Sequence, residues 1–152
     1  ALIDVACQHA RAEKLKINYR TALTHDLIAE KKRYDVVIAS EVIEHVPDQG
    51  VFVRDIAKLL KPNGIAIFST LNRTATAFAL GIVGAEYLLR WLPAGTHDWK
   101  QFLRPSELFQ LCIDAGLTPI DTTGMVYHPL QQEFALSEND LSMNYFLTAI
   151  KA

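Results

Sequence analysis

The stretch Tyr34-Asp35-Val36-Val37-Ile38-Ala39-Ser40-Glu41-Val42-Ile43-Glu44-His45-Val46-Pro47 decides the fold. Val36 to Ala39 is a short apolar run rich in β-branched residues and flanked by polar ones. Such a run predicts a strand buried on both faces of a parallel sheet. The chain then turns polar at Ser40, Glu41, Glu44 and His45, and Pro47 stops any helical turn. Open α/β sheets bind their ligands just beyond the carboxyl ends of the strands. A strand ending in a hydroxyl, two carboxylates and an imidazole is therefore the predicted floor of a site.

Downstream, Asp48 is placed to cap a helix carrying Val51, Phe52, Ala57, Leu59 and Leu60. That helix must stop by Lys61, because Pro62 disfavours a helical residue before it and Asn63-Gly64 makes a turn. Ile65 to Thr70 reads as the next strand. Upstream, Ile3 to Lys14 carries a helical stripe, Lys16 to Arg20 alternates like a strand, and Thr24-His25-Asp26 suits the start of a helix through Lys32. Helix and strand alternating at this spacing imply right-handed crossovers and a parallel sheet. Further on, Pro105 opens a helix with Leu108, Leu111, Cys112 and Ala115 on one face, closed by Gly116. Leu117 to Gly124 and Met143 to Ile150 read as two strands with no helix between them, so they are expected to pair antiparallel at the sheet edge.

Composition sets the class. The 152 residues form a single domain with half its residues apolar and a formal charge of −2, and no basic excess points to nucleic acid. Cys7 and Cys112 are far apart and fit no metal or redox spacing, so both are expected as reduced packing residues. No signal peptide pattern is present, and the chain opens at Ala1 without an initiator Met, as though inside an element.

At this point a resemblance appears. Tyr34-Asp35-Val36-Val37, Glu41 to Pro47 and Leu60-Lys61-Pro62-Asn63-Gly64 resemble the second half of a class I S-adenosylmethionine-dependent methyltransferase. Ser69-Thr70-Leu71-Asn72-Arg73, Val83 to Tyr87, Gly95 to Trp99 and Met143-Asn144-Tyr145 make the chain similar to the ubiquinone-biosynthesis O-methyltransferases. The likeness runs from about residue 34 to the C-terminus and is looser before it.

The resemblance implies an α/β Rossmann-like sheet, mostly parallel with an antiparallel edge. It implies transfer of the methyl group of S-adenosylmethionine to a hydroxyl of a polyprenyl catechol or demethylubiquinol. It also implies a cytoplasmic protein peripheral on the inner membrane (the matrix side of the mitochondrial inner membrane in a eukaryote), with other ubiquinone-biosynthesis enzymes as partners. One feature departs from the family pattern. The glycine-rich loop that cradles the cofactor and the acidic residue that grips its ribose are absent: no G-x-G occurs before residue 50, and Asp4 lies in a helix pattern. The chain is thus expected to begin in the helix after the family's second strand and to form a single, N-terminally truncated domain over 1–152.

By resemblance Ser40 contacts the cofactor; otherwise it is a small polar residue ending a strand. Glu41, Glu44 and His45 stand at i, i+3 and i+4, on one face if the turn is helical. Three such donors can hold Mg²⁺, Zn²⁺ or Mn²⁺ and bring a catechol hydroxyl into line with the sulfonium methyl. Magnesium is the first expectation, drawn from the family's need for a divalent ion. The alternative is Glu41 facing the substrate without metal, Glu44 solvated and His45 packed. His97 is a candidate general base by its near-neutral pKa, or else forms a loop-stabilising pair with Asp98.

Residues 74–100 read as an insertion. Its segment 74–93 has no charge before Glu86 but is too interrupted to span a bilayer. Phe78, Tyr87 and Trp91, with Arg73, Arg90 and Lys100 nearby, suit contact with anionic membrane lipids, and a lid over the site is the other reading. Two further functions stay open: a class I methyltransferase for another small molecule, without metal or lipid, and an incomplete domain retaining only a membrane- or partner-binding surface.

Overall fold

A computed structural model describes residues 2–78, 99–128 and 131–152. In chain order the elements are α1 (Leu2–Ala12), α2 (Thr24–Ala29), β1 (Tyr34–Ser40), a 3₁₀ turn (Ile43–His45), α3 (Gln49–Leu59), β2 (Leu60–Leu71), a short α4 (Ala75–Ala77), a 3₁₀ turn (Trp99–Gln101), α5 (Pro105–Asp114), β3 (Leu117–His128), β4 (Glu133–Ser137) and β5 (Asn144–Lys151). They build one five-stranded sheet in the order β1-β2-β5-β3-β4. β1 and β2 are parallel, as the intervening α3 requires. The other three pairs are antiparallel. The α/β fold stands, and among the described residues its antiparallel portion is larger than an edge.

The helices start and stop where local chemistry directs. Asp48 Oδ1 accepts from the Val51 backbone N–H at 2.8 Å and fixes the start of α3. At its other end, Lys151 Nζ donates to the carbonyls of Ala57 and Leu60 at 2.8 and 3.0 Å, satisfying groups a helix C-terminus leaves open. Asn63, at φ +60°, makes the expected turn, which lies inside β2 as an irregularity opposite Tyr34–Val36. Lys61 bridges that irregularity by donating to both Asp35 carboxylate oxygens, and those hydrogen bonds, helped by the ammonium charge, hold the Asp35 pKa below the usual carboxylate range.

One face of the sheet packs on α3 and α5. Ala66, Phe68, Tyr145, Leu147 and Ala149 meet Val53, Ile56, Leu108 and Cys112 there, all buried. Burial pushes the Cys112 thiol up to about 12, so it stays protonated and inert, as its helical position suggested. Tyr145 is fully buried and donates its hydroxyl to the Leu103 carbonyl at 3.1 Å.

Four expectations are corrected. β1 is not buried on both faces: Val37 and Ala39 face the core, while Val36 and Ile38 on the other face are 49% and 66% exposed, and among the described strands β1 lies at one edge of the sheet. An apolar run records affinity for a sheet interior, not how many neighbours a strand has. Lys16 to Arg20 forms no strand, because among the described residues nothing pairs with it. α2 ends at Ala29 rather than Lys32, since Lys31 adopts φ +56°. Beyond β3 the sheet gains β4, so the β3–β5 pair is not outermost.

The loop before β5 is clasped from two sides. Asn72 donates through its backbone N–H to the Met143 carbonyl at 2.6 Å and through Nδ2 to the Leu141 carbonyl at 2.7 Å. On the other side the loop lies against Gly124, where an added Cβ would stand 1.7 Å from the Asp140 carbonyl oxygen. Gly124→Ala is therefore expected to lower stability by about 1–3 kcal/mol, the range for overpacking, read as a drop in the urea midpoint.

Candidate functional site at the carboxyl ends of β1 and β2

β1 ends at Ser40, whose register partner on β2 is Ser69. The two hydroxyls lie 3.0 Å apart. The next residue, Glu41, turns the chain out of the sheet with φ +51°, a left-handed conformation costing a non-glycine residue about 1–2 kcal/mol. Its neighbours hold it there. The Glu41 backbone N–H donates to the Ser69 carbonyl at 3.0 Å and lies 3.2 Å from Ser69 Oγ. Ser69 Oγ donates to Glu41 Oε1 at 2.9 Å, and Asn144 Nδ2, arriving from β5, lies 3.4 Å from both carboxylate oxygens.

Glu44 sits in the 3₁₀ turn with its side chain buried. Its Oε2 accepts from the buried Thr70 hydroxyl at 2.8 Å. Its Oε1 accepts no hydrogen bond from the described residues, and His45 Nε2 stands 4.0 Å away. A buried carboxylate oxygen without a protein donor lowers stability unless water or another group satisfies it. His45 itself is exposed at the turn.

The Glu41 pKa is raised above the ordinary 4.5, first because protein atoms displace water from its carboxylate, and further by the nearby Glu44 charge. The residue keeps access to solvent, so the effect is local crowding and not full burial. The Ser69 and Asn144 hydrogen bonds act the other way.

The expected helical face does not form. The 3₁₀ turn spans only Ile43–His45, and Glu41 precedes it in a left-handed conformation. That turn leaves His45 Nε2 4.0 Å from Glu44 Oε1 and brings the Glu44 charge to bear on Glu41. As they stand, no group of three or more His, Cys, Asp or Glu side chains among the described residues is placed to hold a metal ion. His97 with Asp98, and most of the 74–100 insertion, lie outside the described residues. What is described of that segment is α4, capped by Thr74 Oγ1 accepting from the Ala77 N–H, and the exposed Phe78 ring edge-on to Trp99. No described helix is long and apolar enough to cross a membrane.

Three residues of this cluster were not picked out as site residues from sequence: Ser69, Thr70 and Asn144. A signal for the first two exists, since the apolar strand IAIFST turns polar where VVIAS does. Asn144 belongs to a strand from the far end of the chain, and although Met143-Asn144-Tyr145 carries part of the resemblance, nothing local gives it a site role.

The family model for a methyltransferase domain matches residues 1–122. Curated relatives named ubiquinone biosynthesis O-methyltransferase, from Dinoroseobacter shibae and Cereibacter sphaeroides, are 48% and 46% identical over 149 residues, 98% of this chain. The chain spans 60% of the length of each. Among solved structures, it superposes on the magnesium protoporphyrin IX methyltransferase of Synechocystis PCC 6803, crystallised with bound S-adenosylhomocysteine, with a TM-score of 0.63 at 19% identity. That match covers 99% of this chain and 59% of the other, and at such identity it speaks for the fold.

The raised Glu41 pKa has a consequence for stability. A carboxyl that holds its proton more tightly when folded contributes stability below its ordinary pKa, and that contribution is lost as pH rises through the folded value. The melting temperature of Glu41→Gln should therefore rise relative to the parent between pH 4 and pH 8. A pH-independent difference would show that Glu41 titrates normally.

Proposed function

Because the chain belongs to the methyltransferase-domain family, we propose that the whole protein methylates a hydroxyl of a polyprenyl catechol or demethylubiquinol during ubiquinone biosynthesis, with S-adenosylmethionine as donor. The observation that carries this reading is 46–48% identity to the ubiquinone-biosynthesis relatives across nearly the entire chain. S-adenosylmethionine supplies an electrophilic methyl group to the attacking phenolate oxygen. The protein's part is to orient that oxygen and to stabilise charge as it moves.

Each residue has a task in this reading. Ser40, at the end of β1, forms part of the cofactor wall. The described chain carries no G-x-G loop, so by itself it provides only this flank of the cofactor site. Glu41 and Glu44, with His45 beside them, anchor the substrate hydroxyl. The donorless Glu44 Oε1, with a second carboxylate and an imidazole close by, fits a divalent cation completing the cluster on binding. Such an ion, Mg²⁺ first with Zn²⁺ or Mn²⁺ as alternatives, would lower the pKa of the substrate hydroxyl. His97 is one candidate for the base that takes the hydroxyl proton, and a loop-stabilising pair with Asp98 is its other reading.

The segment 74–93 is proposed to rest on anionic lipid, which places the protein on the cytoplasmic or matrix face of an inner membrane. Its aromatic and basic residues support this, as does the exposed Phe78 at its start. Other enzymes of ubiquinone synthesis would be neighbours there.

In the full-length protein, Glu41→Ala combined with His45→Ala should reduce methylation of a short-tailed demethylubiquinol analogue by at least about a hundredfold, consistent with loss of several oriented contacts. The variant should also lose the rate increase that added MgCl2 gives the parent. Unchanged turnover and unchanged ion dependence would defeat the anchor. Flotation with phosphatidylglycerol vesicles, but not with phosphatidylcholine ones, is expected for the parent; equal recovery with both would remove the anionic-lipid contact.

A further inference from the structure

Ser69 is only 3% exposed, yet its one hydroxyl meets three polar atoms: Ser40 Oγ at 3.0 Å, the Glu41 backbone N at 3.2 Å and Glu41 Oε1 at 2.9 Å. A serine hydroxyl has one proton to give and two lone pairs to receive. With Glu41 ionised, the assignment is forced. The backbone N–H can only donate and the carboxylate can only accept. Ser69 thus gives its proton to Glu41 Oε1, and Ser40 gives its own proton to Ser69.

We propose that Ser69 is a positioning residue of the methyl-transfer site, its buried hydroxyl joining the cofactor-side Ser40 to the substrate-side Glu41 and aiming the Glu41 carboxylate at the substrate. The inference rests on the function proposed above and adds a residue to it.

Two consequences follow from the geometry. Ser40 spends its proton inward, so toward the site it offers lone pairs only: it would accept a hydrogen bond from the cofactor and not donate one. Glu41, although in a left-handed turn that disfavours a side chain, points where two strands direct it, through Ser69 on β2 and Asn144 on β5. A carboxylate on an exposed turn would otherwise sample several rotamers. Fixing one of them is the kind of preorganisation that accelerates a displacement reaction.

The contacts also separate positioning from folding. The Glu41 N–H already donates to the Ser69 carbonyl at 3.0 Å, a bond that does not need the serine side chain. Ser69→Ala therefore keeps the backbone turn and removes only the hydroxyl link.

The test uses the full-length protein. Ser69→Ala is expected to lower kcat about tenfold to a hundredfold, the value of one hydrogen bond to a charged group, with both KM values within about threefold of the parent. Ser69→Thr, which keeps a hydroxyl, should recover most of the loss while leaving the added methyl to be absorbed. Adding Ser69→Ala to Glu41→Ala should cost little more than Glu41→Ala alone, because the hydroxyl acts through that carboxylate. If Ser69→Ala keeps parental kcat while Glu41→Ala loses activity, the positioning role is overturned and the anchor survives. If Ser69→Thr is as impaired as Ser69→Ala, or if the two losses multiply independently in the double variant, the role is likewise overturned. If Glu41→Ala itself retains full activity, the anchor falls and the inference with it.

Discussion

β2 is hydrogen-bonded along both sides, in parallel to β1 and antiparallel to β5, and the rest of the structure depends on that double pairing. A parallel neighbour requires a crossover, and α3 supplies it, laying Val53 and Ile56 over Ala66 and Phe68. An antiparallel neighbour brings the C-terminal strand home, with Leu147 and Ala149 opposite Phe68 and Ala66. Because successive side chains on a strand alternate faces, the same pairing sends Ser69 to the side opposite the core. Thr70, the next residue, turns to the core side and meets Glu44 there, so the polar cluster draws on both faces of β2.

Electrostatics in the cluster are unbalanced, and that imbalance is informative. Two carboxylates share a small volume, one with a donorless oxygen and the other with a raised pKa. Both accept from hydroxyls or an amide, but among the hydrogen bonds of the described residues neither has the cationic partner that Lys61 gives Asp35 and Arg20 gives Glu30 at the surface. Buried polar groups left partly unsatisfied lower stability. Strain in the Glu41 backbone lies at the same spot, so conformational and electrostatic cost are concentrated in one turn.

The elements differ in how far they could be read from the chain alone. α3 and α5 were legible because their determinants are local: Asp48 as a cap, Pro105 and Gly116 as boundaries, and a 3.6-residue stripe between them. Lys16 to Arg20 misled because alternation only permits a strand, whereas a partner is what makes one. β4 was missed because Glu133–Ser137 is stabilised by pairing with β3, a contact that no local signal announces. Glu41, Glu44 and His45 were read as one face of a helix. The actual turn is shorter, and Glu41 enters it left-handed.

By itself, the sequence determined that a β-branched strand runs into a carboxylate- and imidazole-bearing turn, that helices with clear caps follow, and that the motifs are those of a methyltransferase. These are properties of residue order, written within a few positions of one another. Tertiary structure alone decided that β1 lies at one edge of the described sheet, that Ser69 and Asn144 grip Glu41, and that Thr70 reaches Glu44. The partners in those contacts are separated by 26 to 103 residues, and their meeting depends on strand register, which is set by packing across the whole sheet.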